Sequence, residues 1–223
     1  MHEIQKIILK RLLLQNRQKY STLTKGYDFE DNIVFHLKQL ITRGLIIKTD
    51  KLYQITPEGV KQIADYDLLT IENTGFKTFF LGFLCKYESL YLIKEHPSEN
   101  NNFYNLPSGK PKFGEPIDKA LIRTFAENTG IIININNIKF LSLHLKTIKT
   151  SQDEILFDDA FTIYKVNINK TDKEKMKLHY QISWKSLEEI KKLGNRWPEI
   201  DITILKKDFS PYLDYEITSD YIL

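Results

Sequence analysis

With 223 residues, 42% of them apolar, the chain is too hydrophobic to stay disordered, and nine glycines and seven prolines are too few for collagen-like or linker sequence. A single cysteine, Cys85, excludes an internal disulfide framework and any multi-cysteine zinc site. The net charge of +3 is uneven: residues 1–65 hold 11 Lys+Arg against 7 Asp+Glu, and the remainder 21 against 22. That asymmetry fits either a polyanion partner for the N-terminal part or a solvated surface.

The segment Ile4–Leu14 has near-helical apolar spacing, and Ser21 and Gly26 bracket a short second helix over Thr22–Lys25. Asp28, with Asp31 three residues on, is expected to cap a third helix carrying Ile33, Val34, Leu37, Leu40 and Ile41, which Gly44 closes. Leu45–Ile55 reads as two strands around a polar tip at Thr49-Asp50-Lys51. Thr56 and Pro57 then start a helix running to about Tyr66.

This order, with the phrase Leu37-Lys38-Gln39-Leu40…Gly44-Leu45-Ile46…Tyr53-Gln54-Ile55-Thr56-Pro57-Glu58-Gly59, closely resembles bacterial winged-helix transcription regulators. The resemblance implies a DNA-binding domain over 1–66, with the third helix in the major groove and the wing on the backbone. Asn32, His36, Lys38, Gln39 and Arg43 are then the expected contacts of the helix, and Lys48 and Lys51 those of the wing. Against this stand Glu30 and Asp31 at the helix start, and the same residues also suit the polar face of an amphipathic helix. Some winged helices serve only as protein-docking modules.

Residues 67–74 are read as a linker, and 75–223 as a second domain. Phe76–Lys86 is nearly continuous apolar sequence, as in a strand covered on both faces. Strands are expected at Leu90–Ile93, Phe103–Leu106, Ile138–Leu145, Asp159–Ile168 and Leu178–Ser183. Helices are expected at Pro116–Asn128, from Ser186 to Leu193 with a Ser186/Glu189 capping box, and at Ile202–Leu213. Their mixture without strict alternation places the chain in the α+β class, with a mixed sheet.

One motif carries chemistry. Gly109, Glu115, Arg123, Phe125, Glu127, Gly130 and Ile131, preceded by Leu106-Pro107-Ser108, resemble in register the Nudix box of hydrolases that cleave nucleoside diphosphates linked to another moiety. The resemblance implies an α/β/α sandwich. It makes Glu127, Arg123 and Glu115 the candidate catalytic residues and Gly109 and Lys110 the candidate ligand-binding residues. Gly109 is expected to let the chain turn, and Glu115 to sit at the helix entrance. Positions 124, 127 and 128 fall on one helical face that is all glutamate in active relatives and holds magnesium. Here Thr124 and Asn128 leave only Glu127 as a metal ligand, so magnesium is expected to bind weakly if at all, unless Asp153, Glu154, Asp158 or Asp159 substitutes.

Two functions follow from the pair of resemblances. One is a ligand-responsive transcription regulator with little or no hydrolase activity. The other is a divalent-metal Nudix hydrolase with the winged helix as an accessory or dimerisation module. Both give a nucleotide-like small molecule of the ADP-ribose or nucleotide-sugar class as partner; the first adds double-stranded DNA, and homodimerisation is left open. Apolar runs such as Phe79–Cys85 fall far short of the roughly 20 residues of a membrane helix, and the N-terminus lacks a basic-then-apolar leader, so a soluble cytoplasmic protein without a membrane partner is expected.

Overall fold

A computed structural model describes residues 1–28, 31–64, 66, 77–97 and 102–218. The chain divides into two compact units, Met1–Phe76 and Lys77–Leu223. The proposed linker, 67–74, lies outside the described residues.

In the first unit α1 (Glu3–Leu14) is followed by β1 (Gln18–Lys19), α2 (Tyr20–Leu23), α3 (Ile33–Thr42), β2 (Ile46–Thr49), β3 (Leu52–Ile55) and α4 (Pro57–Ile63). Apolar residues spaced by three and four turn Ile8, Leu9 and Leu12 of α1 onto Leu37 and Leu40 of α3, and Leu23, Ile46, Tyr53 and Ile63 complete this core. The hairpin turns at Asp50-Lys51, with Asp50 left-handed, and β1 adds an antiparallel third strand outside β3. Thr56 caps α4 by accepting from the Gly59 amide at 3.0 Å, while its own hydroxyl donates to the Gly44 carbonyl at 2.7 Å. Gly59 is required by proximity: a Cβ there would stand 2.1 Å from the Leu45 carbonyl oxygen. The start of α3 differs from expectation. Asp31 accepts from the Asp28 amide, forming a turn, and the helix begins four residues further on, with Asn32 left-handed at its N-cap.

The second unit is built on a nine-stranded mixed sheet. Its long strands are β4 (Thr78–Tyr87), β5 (Leu90–His96), β8 (Ile138–Lys149) and β9 (Ile155–Asn167), with short β6 (Phe103–Asn105), β7 (Ser108–Gly109), β10 (Ile182–Ser186) and β11 (Asn195–Arg196). The order is β11-β6-β5-β4-β9-β8-β12, where β12 is Tyr212–Thr218; β7 pairs with β4, and β10 with β5. β4 runs parallel to β9 and β12 parallel to β8, whereas β8 and β9 are antiparallel.

Alternation along β4 creates two cores. Leu81, Phe83 and Cys85 face α5 (Ile117–Thr129), where Ala120, Leu121 and Phe125 cover them. Leu84 faces the other way, with Phe161 and Ile163 of β9, and is covered by Ile190, Ile200 and Ile204. Those three come from α7 (Leu187–Lys192), α8 (Pro198–Ile200) and the π-helical turn Asp201–Lys206 that continues α8. A further one-and-a-half-turn helix, α6 (Lys170–Lys175), follows β9. Sheet between helices is thus the architecture, and all of Leu81–Cys85 is buried, as a strand covered on both faces requires. Burial pushes the Cys85 thiol up to about 12, so it is an inert packing group.

Two sequence expectations fail in this unit. The strand expected at Leu178–Ser183 runs instead over Ile182–Ser186, with 178–181 outside it. Ile202–Leu213 is not one helix: the helical stretch ends at Lys206, and Tyr212–Thr218 is strand β12, whose apolar alternation pairs with β8. Among the described residues no helix is long and apolar enough to cross a membrane.

Candidate functional site

The loop from Ser108 to Glu115 and helix α5 form one hydrogen-bonded assembly. The Arg123 guanidinium donates as a fork to both Glu115 oxygens, Nε to Oε1 at 2.7 Å and Nη2 to Oε2 at 2.6 Å. It also donates from Nη1 to both Glu127 oxygens at 3.0 Å, and from Nη2 to the Lys110 carbonyl at 3.0 Å. The Arg123 fork, with the Lys112 amide, holds the Glu115 carboxyl down at about 2, and the Arg123 pKa is raised in turn. Glu115 and Arg123 are therefore spent on fastening the loop to the helix.

The helical face shared by positions 124, 127 and 128 is divided. Thr124 is fully buried, and its hydroxyl donates to the Ala120 carbonyl at 2.6 Å, inside the helix. The Asn128 amide nitrogen donates to the Ser108 carbonyl at 3.2 Å and to the Thr124 carbonyl at 2.6 Å. Glu127 points elsewhere, its side chain 57% exposed and bound by Arg123. Gly109 is in a strand and not in the turn that the sequence suggested. It lies in β7 opposite Leu81, and glycine is needed because a Cβ would meet the Thr124 methyl at 2.7 Å.

Magnesium requires about six hard oxygen ligands. These residues do not fit it: an amide N–H aims at the loop carbonyl, the one carboxylate is held by a guanidinium, and the hydroxyl is used by the helix. Among the described residues no three His, Cys, Asp or Glu side chains gather in a way that could hold a metal ion. The proposed substitutes are engaged elsewhere: Asp153 pairs with Lys149, Asp158 with Lys77, and Asp159 lies 3.9 Å from Lys146. Glu154 is exposed beside Asp153 and contributes its backbone to the Thr150 turn.

Ser108 also borders a cavity of about 150 Å³ on the far face of the sheet, between Phe80, Phe161, Trp197, His96 and Asn105. Its charged wall is Lys146, which is 3% exposed, bound to the fully buried Glu199 at 2.6 Å and set over the Trp197 ring at 4.4 Å. Burial raises the Asp159 pKa against the pull of Lys146, and burial with the cations Lys94 and Lys146 lowers that of His96. Lys110 reaches over the Phe80 ring at 4.8 Å. Lys146 and Glu199 were not singled out from sequence. Lys146 did carry a signal, since it shares the inward register of β8 with Ser142, His144 and Ile148; Glu199 carried none.

In the first unit, α3 exposes Lys38, Gln39 and Thr42 together with apolar Val34, Phe35 and Ile41, and Asn32 and Arg43 are exposed at its ends. His36 is a correction: it is 7% exposed and stacked on His2 at 4.4 Å, so it belongs to the core side of the helix. Lys48 and Lys51 gather with Lys19, Tyr20, Ser21 and Tyr53 around a groove of about 370 Å³. Lys19, Tyr20 and Ser21 had no sequence signal, because strand pairing of β1 with β3 brings them there.

No family model and no curated protein match this chain. The chain is similar over part of its length to solved structures of MutT and Nudix proteins. The MutT protein from Bacillus halodurans is 17% identical with a TM-score of 0.47, covering 64% of this chain and 92% of that one. The Nudix domain of Shewanella oneidensis NrtR, solved in complex with ADP ribose, is 14% identical at 0.47, covering 69% and 98%. The MutT protein from Methanosarcina mazei is 18% identical at 0.40, covering 58% and 91%.

Proposed function

We propose that this chain is a ligand-responsive DNA-binding protein. Its first unit acts as a winged helix on double-stranded DNA, and its second is a Nudix-type unit that binds a nucleotide-like molecule without metal-dependent hydrolysis. The observation that carries the second half is the Asn128 amide held against the Ser108 carbonyl, where the Nudix-box resemblance calls for a carboxylate on a metal. The ligand class rests on that resemblance and on Lys110 and Lys146 beside the rings of Phe80, Phe161 and Trp197, cations and π faces suited to a phosphorylated base.

The DNA half is supported by the lysine groove at the wing and by the exposed Lys38, Gln39, Thr42 and Arg43. Exposed Phe35 and Val34 suit thymine methyl groups. Regulation requires that the ligand bind the DNA-competent and incompetent forms with different affinity. The test uses the full chain. It should bind a random-sequence 30-base-pair duplex with a steep salt dependence. Lys19→Ala/Lys48→Ala/Lys51→Ala should make that dependence shallower, by about 0.9 in log–log slope for each phosphate the variant no longer neutralises. ADP-ribose should bind without metal and stay intact. A salt-independent duplex affinity sinks the DNA half; manganese-dependent turnover abolished by Glu127→Gln sinks the other.

A further inference from the structure

A second cavity lies on the same sheet face as the Lys146 cavity, at the other end of β4. It measures about 420 Å³, within the roughly 300–1,000 Å³ of small-molecule sites. Its floor is Leu84 and Leu141, and its walls carry Lys86, Lys165 and Lys207 with the rings of Tyr91 and Phe209. No carboxylate lines it, and among the described residues none pairs with any of the three lysines.

Three departures from regular backbone meet here. Leu141 is the extra residue of a β-bulge, since Phe140 pairs with Tyr164 and Ser142 with Ile163. The opposite wall is the π-helical turn Asp201–Lys206, which contributes Thr203. That turn ends in Lys207, held at φ 54° although it is not glycine. Bulges and π-turns re-aim side chains and recur beside binding sites, and a left-handed lysine is a strained backbone that its surroundings must hold. Register does the rest: Lys86 stands opposite Tyr91, and Leu84 opposite Lys165.

We propose that this cavity is a second ligand site, for a small anion bearing a flat ring, of the nucleoside phosphate class. Lys165 and Lys207, with Lys86 whose ammonium lies 5.5 Å over the Tyr91 ring, have no carboxylate partner and call for a multiply charged anion, since each is a flexible point charge suited to phosphate oxygens. The Phe209 ring beside Leu84 and Leu141 calls for a flat apolar ring. This site is independent of the cavity at Ser108, and either can fail without the other.

The experiment is calorimetry of the full chain with ADP, pyrophosphate and adenosine as separate probes, with lysine acetylation mapped with and without ADP. ADP should protect Lys86, Lys165 and Lys207 from acetylation. Lys165→Gln/Lys207→Gln should weaken ADP and pyrophosphate by about tenfold or more, the worth of a lost charge-assisted hydrogen bond. Phe209→Ala should weaken ADP and leave pyrophosphate unchanged. Lys110→Ala, over the Phe80 ring that lines the other cavity, should leave the protection of these three lysines intact. The inference is overturned if ADP protects none of the three lysines, if the double variant binds ADP like wild type, or if Phe209→Ala weakens both probes equally. Protection by a single-stranded DNA 10-mer but not by ADP also overturns it.

Discussion

Asn128→Asp is the most direct probe of what the Asn128 side chain does on α5. The amide nitrogen donates to the Ser108 and Thr124 carbonyls, and the residue is 7% exposed. An aspartate removes both donations and sets a carboxylate against two carbonyl oxygens. Two hydrogen bonds at roughly 1 kcal/mol each, plus the penalty for a buried unpaired charge, give a loss of about 3 kcal/mol at pH 8. For a unit of about 150 residues, with 2–4 °C per kcal/mol, the melting midpoint falls by roughly 6–12 °C. Neutralisation relieves the repulsion and restores one donor, so the folded-state pKa of the new carboxyl is raised, and the penalty must shrink as pH falls toward 5. Millimolar manganese should recover part of the loss in the variant by binding the native state, and leave wild type unmoved. The assay is thermal unfolding by circular dichroism at pH 8 and pH 5, with and without manganese. A variant as stable as wild type at pH 8, or a wild type stabilised by manganese, refutes the reasoning.

Other perturbations follow from the same structure. Gly59→Ala drives a Cβ to within 2.1 Å of the Leu45 carbonyl oxygen, so the first unit should lose at least 1–3 kcal/mol, seen as a lower urea midpoint for its transition; an unchanged midpoint counts against the packing of α4 on Leu45. Lys146→Met alone leaves Glu199 charged and unpaired at zero exposure, and should cost about 3–5 kcal/mol; adding Glu199→Gln should recover most of it, a coupling that a double-mutant cycle in urea measures directly. Burial lowers the pKa of His36, His96 and His144 below the ordinary 6.5, so the unfolded chain takes up protons first and stability should fall as pH drops below 6.5. The raised pKa of Asp159 works the other way where it titrates, and the lowered one of Glu115 withdraws support below 4.5. Urea midpoints that stay flat from pH 7.5 to 5.5 would contradict the histidine argument.

What the sequence determined by itself was local. Helical spacing in α1, α3 and α5, the Thr56-Pro57 start of α4, the Ser186/Glu189 capping box and the two-face burial of β4 all depend on residues within a turn or two of each other. So did the Arg123–Glu127 pair, because a helix places i and i+4 side by side, whereas the Glu115–Arg123 fork depends on how the loop enters the helix. Tertiary structure decided the rest. Helical geometry allowed Thr124, Glu127 and Asn128 to share a face, but close approach of β7 pulled Thr124 and Asn128 inward and left Glu127 to Arg123. His36 looked like a surface group until α1 brought His2 onto it. The stretch from 202 to 213 was expected to be a single helix, but the helical turn stops at Lys206 and pairing with β8 claims the chain from Tyr212 onward. Lys146 and Glu199 are 53 residues apart and meet only because sheet order folds the chain back on itself. A charge buried that deeply is tolerable only beside its partner, and no local pattern in sequence names a partner so far away.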